Sequence, residues 1–290
     1  MAIANINGIE LFHECLGSGP PLLLIHGLGS SGDDWAFQRE DFAHQHRLIL
    51  VDLRGSGRSG KPAGPYSIAQ FAADLWALLD LLGIDTLDVL GFSLGGSVAL
   101  EMAVTQPRRV RRLVLCNALA DYRIDTPRKW LEAHLQLTLV RVLGVRRTSR
   151  MIARRMFPRR EQAPMRERLV QVVGDNPHAA YVATIRAIMG WSIVDQLHAL
   201  RCETLIIAAQ HDYITPEHRR QEARRFPHAE VVVIAGSRHG TPFDAIEAFN
   251  CHALEFLGRA VAVQDSPGDV AAVVVEEPPR VPRIGGIQHG

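Results

Sequence analysis

"VLGFSLGGSVALEM" (residues 89–102) decides how the rest of the chain is read. An apolar run breaks into glycines around one serine, then resumes as "SVALEM" at helical spacing. Gly91-Phe92-Ser93-Leu94-Gly95 fits G-x-S-x-G between a strand and a helix. Such a turn puts the serine in strained backbone angles, and the glycine two residues to either side lets strand and helix pass closely. The strain lifts the hydroxyl clear of the sheet. A helix starting at Leu94 aims its free N–H groups at the same spot. One turn thus offers a nucleophile, Ser93, and an oxyanion donor, the Leu94 amide.

A serine hydroxyl is a weak nucleophile at neutral pH. It needs a base, and the base needs an orienting acid. The chain offers both in the order serine, acid, histidine. "TLIIAAQHDYITP" sets Asp212 in a loop just past a strand, and "VVVIAGSRHGTPFD" sets His239 just past the next one. Of 13 histidines, His239 alone falls in a short loop between a late strand and the final helix. His211 is the rival base, but its adjacency to Asp212 makes a correctly directed bond to that carboxylate awkward. Asp121 is the reserve acid. The second oxyanion donor is expected from "LLLIHGLGSSGDDW", at the Leu28 amide, with His26 bracing that loop.

Outward from this site, short apolar runs alternate with amphipathic stretches. "AIANINGIELFHECLG" reads as a hairpin turning at Asn7-Gly8. "PPLLLIHG" and "HRLILVDLRG" read as strands buried on both faces. "SIAQFAADLWALLDLLG" has helical period and a terminal Gly83. Past residue 195 the rhythm returns, and "FDAIEAFNCHALEFLGRA" is expected as one closing helix. The alternation predicts an α/β fold, a mostly parallel central sheet covered by helices on both faces. Residues 121–190 interrupt it with helix-like pieces and no convincing strand, which predicts a helical cap inserted between two strands. The expected division is a core of 1–120 and 191–260, a cap of 121–190, and a flexible Pro/Gly-rich tail of 261–290.

Composition excludes several classes. Hydrophobic residues make up 47% and charged residues 22% of 290, as in ordinary globular proteins. The start carries no secretory signal pattern and no apolar run approaches a membrane span, so no membrane partner is expected. The four cysteines are scattered without ligand spacing, which predicts free thiols in a cytoplasmic protein and no metal site. "GSGRSGKP" (55–62) approaches a phosphate-binding loop, but Pro62 stands where a hydroxyl is required. No cofactor is therefore expected. Residues 121–190 hold fourteen Arg and Lys against six acids, a net +8 within a chain of net +1. This basic cap would suit an anionic substrate or an acyl-carrier protein. No groove-reading motif accompanies it, so no nucleic-acid partner is expected. In "SRMIARRMF", Met151, Ile152 and Met156 are expected to face inward, leaving Arg150 and Arg154 outside.

Five pieces together resemble the α/β-hydrolase superfamily over residues 3–258: "HGLGSSGDDW" (26–35), "DLRGSGRS" (52–59), "GFSLGG" (91–96), "QHDYITP" (210–216) and "SRHGTPF" (237–243). The resemblance assigns nucleophile, acid and base to Ser93, Asp212 and His239, and the oxyanion donors to Leu28 and Leu94. It implies a cofactor-free serine hydrolase acting on a small-molecule ester or lactone. Epoxide hydrolases and haloalkane dehalogenases carry aspartate at the elbow, where this chain has serine. Carbon–carbon bond hydrolases usually carry asparagine where this chain has Phe92, so that chemistry is the alternative within enzymes. "DLRGSGRSGKPAGPYS" is similar to 3-oxoadipate enol-lactonases and to carboxylesterases acting on acyl-carrier-protein esters. The alternative of another class is a ligand receptor or scaffold keeping weak hydrolysis.

Overall fold

The computed structural model describes residues 1–259; the tail expected at 261–290 lies outside the described residues. Asn7 and Gly8 both take positive φ, 45° and 78°, as a two-residue hairpin requires. They join β1 (Ala2–Ile6) to β2 (Ile9–Leu16) with Ile6 opposite Ile9. β3 (Pro21–Ile25), β4 (Arg47–Val51), β5 (Leu87–Phe92), β6 (Val110–Cys116), β7 (Glu203–Ala209) and β8 (Ala229–Ile234) complete an eight-stranded sheet. Its order is β1-β2-β4-β3-β5-β6-β7-β8. β2 is antiparallel to both neighbours, and the strands from β4 to β8 are parallel.

Strand side chains alternate between two apolar layers, as period two requires. Leu23, Ile25, Val89, Leu113, Leu115 and Ile206 face a layer built with Phe71, Leu75, Val98 and Met102. Those partners sit on α2 (Ile68–Leu81) and α3 (Leu94–Thr105); α1 (Arg39–Ala43) precedes them. Leu22, Leu24, Leu90, Val114, Leu205 and Ile207 face the opposite layer, with Trp35, Phe249 and Phe256. Because both faces are covered, the middle strands read as unbroken apolar runs rather than as alternation.

Between β6 and β7 the chain leaves the sheet for α4 (Pro127–Leu143), α5 (Val145–Met156), α6 (Ala163–Gly174) and α7 (His178–Ile188). Leu137, Val140, Val145, Val173, Tyr181 and Ile185 give this cap a small core of its own. Its stem is pinned where it leaves and returns. Asp121 bridges Ser192, the Tyr122 amide donates to the Trp191 carbonyl at 2.8 Å, and the Ile193 amide donates to the Ala120 carbonyl at 2.9 Å.

Two details differ from the sequence expectation. Met151 is exposed, not inward. α5 packs closely on α6, and the face it turns inward carries Val145, Ser149, Ala153 and Met156, small residues included. The closing helix is split. After α8 (Pro216–Ala223), α9 (Thr241–Asp244) and α10 (Ile246–Leu257) meet at Ala245, whose φ of −145° breaks the spiral. Among the described residues no helix is long and apolar enough to cross a membrane.

Candidate active site

β3 lies between β4 and β5, so the chain winds outward in opposite directions from it. In a parallel sheet the crevice at such a switch point opens beyond the carboxyl ends of the strands. Ile25 at the end of β3 pairs with Gly91 near the end of β5. The loop His26-Gly27-Leu28 and the turn at Ser93 therefore emerge side by side.

Ser93 has φ 54° and ψ −118°, a conformation that side-chain-bearing residues rarely hold. Its amide donates to the Cys116 carbonyl at 2.9 Å, which fixes the turn to β6. A Cβ on Gly91 would lie 2.3 Å from the Gly95 carbonyl oxygen, and one on Gly95 would lie 2.2 Å from the Ile25 carbonyl oxygen. Both glycines are thus dictated by close approach, not by flexibility alone.

Ser93, His239 and Asp212 form a hydrogen-bonded chain. The Ser93 hydroxyl lies 2.9 Å from His239 Nε2, and His239 Nδ1 lies 2.7 Å from Asp212 Oδ1. The geometry suits the neutral tautomer in which Nδ1–H donates to the carboxylate and Nε2 accepts from the serine. The Asp212 side chain is 1% exposed and that of His239 is 16% exposed. Burial raises the Asp212 pKa, but its His239 bond, the Tyr213 amide at 2.7 Å and Arg219 outweigh this and hold it below the ordinary carboxylate value. Phe92 and Tyr213 flank the imidazole, with ring centroids 5.5 and 4.9 Å away.

The expected oxyanion donors also converge on this place. A Cβ on Gly27 would lie 3.6 Å from the Ser93 Cβ, so the Gly27-Leu28 loop abuts the serine. Among the described residues neither the Leu28 nor the Leu94 amide donates a hydrogen bond, which leaves both available. His26 braces this loop. It is fully buried, its Nδ1 donates to the Gly27 carbonyl at 2.7 Å, and its Nε2 accepts from the Leu53 amide at 2.9 Å. Burial pushes its pKa down, and with both nitrogens engaged it has none left for substrate.

The rivals are placed elsewhere. His211 is exposed, and its amide pairs with the Ser237 carbonyl. Asp121 is bound by Arg123 through the amide and guanidinium at 2.8–3.2 Å. The "GSGRSGK" loop is folded onto Asp52, which takes the Arg58 amide at 2.7 Å and its Nε at 2.8 Å, and Lys61 is tied to the Gly57 and Ser59 carbonyls. A phosphate cradle needs those groups free. Among the described residues no cluster of His, Cys, Asp and Glu could hold a metal ion.

Three supporting residues escaped the sequence reading. Asn117, at φ 49°, ends β6 and gathers the neighbouring strand ends. Its Nδ2 donates to the His239 carbonyl and to Thr241 Oγ1, both at 2.8 Å, and its Oδ1 accepts from the Ala209 amide at 2.9 Å. A polar residue directly after the apolar run "LVLC" was the available signal. Arg219 on α8 is fully buried, 3.5 Å from Asp212 Oδ2 and 3.3 Å from Glu222 Oε2, and bonded to the Ala118 carbonyl. Asp34, beside the Leu28 loop, accepts from Ser30. Burial pushes its carboxyl up to about 7, with the Ser30 hydroxyl, Arg168 and the Gly27 amide pulling the other way.

Residues 20–245 match the sequence profile of the alpha/beta hydrolase fold family. The chain belongs to that family. It is 29% identical over 266 residues to a putative carbamate hydrolase RutD of Azorhizobium caulinodans, covering 89% of this chain and 99% of that one. An enol-lactonase from Burkholderia xenovorans superposes with a TM-score of 0.82 at 26% identity, covering 89% of this chain and 100% of that one. A thermophilic esterase from Thermogutta terrifontis superposes at 0.77 with 30% identity, over 88% and 97%. This family member is a hydrolase by kinship.

Proposed function

We propose that the protein is a cofactor-free serine hydrolase that cleaves a carboxylic ester or lactone through an acyl-enzyme on Ser93. The observation that carries this reading is the continuous chain from Ser93 Oγ through His239 to Asp212 at 2.9 and 2.7 Å. In this reading Ser93 Oγ attacks the carbonyl carbon while its proton passes to His239 Nε2. The carbonyl oxygen becomes an oxyanion held by the Leu28 and Leu94 amides, a device whose donors are each worth about 10²–10³ in rate. The carbon–oxygen bond to the alcohol then breaks, and the departing oxygen takes the proton from His239. Water attacks the acyl-enzyme, yielding a proton to Nε2. The bond to Ser93 breaks, the acid leaves and the serine regains its proton. Asp212 stabilises the imidazolium in both halves.

A carbamate is a second reading, favoured by the relatives named as carbamate hydrolases. The same chain of groups can attack a carbamate carbonyl, whose nitrogen lone pair makes it the less reactive substrate. A panel of 4-nitrophenyl esters, lactones and carbamates, with an organophosphonate that labels activated serines, tests both. One adduct on Ser93, loss of turnover on labelling and a fall of about 10⁴–10⁶ in kcat for Ser93→Ala are expected. An adduct on another residue would refute the assignment.

A further inference from the structure

The cap carries many arginines, but they do not point the same way. On α5, Arg146, Arg150 and Arg154 succeed one another at i, i+4 and i+8, which puts them on one face. They line a groove of about 500 Å³ against α6, with Arg166, Glu167 and Asp175. Arg146 is paired there with Asp175 at 2.6 Å. Arg155 is one residue on from Arg154 and so turns about 100° around the helix. It reaches the loop that carries Asp212 instead. Its guanidinium carbon lies 4.5 Å from the centre of the Tyr213 ring, and that ring lies 4.9 Å from the His239 ring. Those spacings place the guanidinium no more than 9.4 Å from the imidazole.

The end of α5 sits over the same loop. A Cβ on Gly240 would lie 2.7 Å from the Phe157 ring and 3.4 Å from Met156, so the cap leans directly on the residue after His239. Phe157 also meets Phe243 edge-on at 6.2 Å. These apolar contacts hold Arg155 at the edge of the crevice. Among the described residues it has no carboxylate partner, and both it and Tyr213 stay exposed. A guanidinium fixed on an aromatic face, with its edge open, presents a flat fork of donors that matches a carboxylate.

We propose that Arg155, held on Tyr213, is the specificity residue that recognises an anionic group on the substrate, so that the preferred ester or lactone carries a carboxylate a few bonds from its reacting carbonyl. This rests on the serine hydrolase reading of the same site. The outer-face arginines 146, 150 and 154 serve no such role, because they line the groove on the other side of α5.

Two esters of equal length test it: 4-nitrophenyl pentanoate and the 4-nitrophenyl monoester of glutarate, in which a carboxylate replaces the terminal methyl. The readout is the ratio of their kcat/KM values. Arg155→Met should lower the ratio for the anionic ester about fivefold, the scale of one partly solvated ion pair. Arg155→Lys should keep part of it, and Arg150→Glu should shift it by much less than Arg155→Met. Equal losses on both esters in Arg155→Met, or no loss on either, would overturn the assignment. Calorimetric titration with glutarate separates it from the reading it rests on, since binding needs no turnover. If the wild-type protein turned over neither ester but bound glutarate, and Arg155→Met weakened that binding severalfold, the anion site would stand and the hydrolase reading would fall. Glutarate binding indifferent to Arg155→Met would sink the anion site.

Discussion

Arg219→Met isolates the charge that balances the buried acid. The guanidinium is 1% exposed and faces two carboxylates, Asp212 at 1% and Glu222 at 8%. Methionine fills comparable space but leaves both acids without a cation. Breaking a buried pair in this way costs about 3–5 kcal/mol. In a body of this size each kcal/mol lowers Tm by about 2–4 °C, so a fall of roughly 10 °C is expected. The cost must depend on pH, and its sign follows from Asp212. That carboxyl sits below its ordinary value in the fold, so its stabilisation is present above the unfolded pKa and lost as pH falls through the folded one. Removing Arg219 takes away one of the interactions that depress it. The variant should therefore begin to protonate Asp212 at higher pH, and the deficit between wild type and variant should shrink from pH 7 to pH 4.5. Urea unfolding at both values measures it. Adding Glu222→Gln to the variant should recover about 1–2 kcal/mol, because one stranded charge is then gone. A deficit under about 1 kcal/mol that is equal at both pH values would refute the charge-balance argument.

Two further substitutions probe neighbouring groups. Asp212→Asn can turn a side-chain N–H toward His239 Nδ1 and trap the tautomer that cannot accept from Ser93; kcat on a 4-nitrophenyl ester should fall by up to about 10⁴, and survival above a tenth of wild type would show that another acid orients the histidine. Asp34 is raised to about 7 in the fold, so stability should fall as pH rises from the unfolded carboxyl value through 7. Asp34→Asn keeps an acceptor for Ser30 but cannot ionise. Its urea midpoint should gain on wild type between pH 5 and pH 8, and a constant gap would contradict the raised value.

How much of this was legible in the sequence depends on the range of the forces involved. The elbow was readable because a glycine two residues to either side of Ser93 is a local pattern, although only Gly91 answers to a nearby contact, the Gly95 carbonyl, while Gly95 answers to the distant Ile25 carbonyl. The order Ser93, Asp212, His239 was readable because each follows a strand. The hairpin at Asn7-Gly8 is equally local. α8 shows where legibility stops. "PEHRRQEARR" offers several arginines that look alike, and the distant Ala118 carbonyl, together with Asp212 in the loop just before the helix, selects Arg219 for burial. Met151 was misjudged for a related reason. The buried face of α5 carries Val145, Ser149, Ala153 and Met156, and Met151 falls outside it, exposed. Asp34 sits among polar neighbours in "GSSGDDW", where nothing marks which aspartate the fold will bury.

The same distinction explains why the motifs spell a reaction class yet leave the substrate open. The bonds that set the Ser93–His239–Asp212 spacing come from outside the cap: Asn117 and Thr241 fix the His239 loop, while Tyr213 and Arg219 hold Asp212. Among the described residues none of the hydrogen bonds on these side chains comes from 121–190. The cap touches the site through Phe157 against Gly240 and Arg155 against Tyr213, and it holds the Leu28 loop through Asn176, which donates to the Gly29 carbonyl at 2.6 Å. Away from those contacts the cap can vary while the 2.9 and 2.7 Å spacings survive. Relatives named for a carbamate, an enol-lactone and an ester share this fold at 26–30% identity, which is the pattern such a division produces. On the proposed reading the chemistry sits at strand ends, with Ser93, Asp212 and His239 each following a strand. The cap helices keep a small core of their own, and on the reading proposed above the position of an arginine around α5 decides whether it meets the substrate or the solvent.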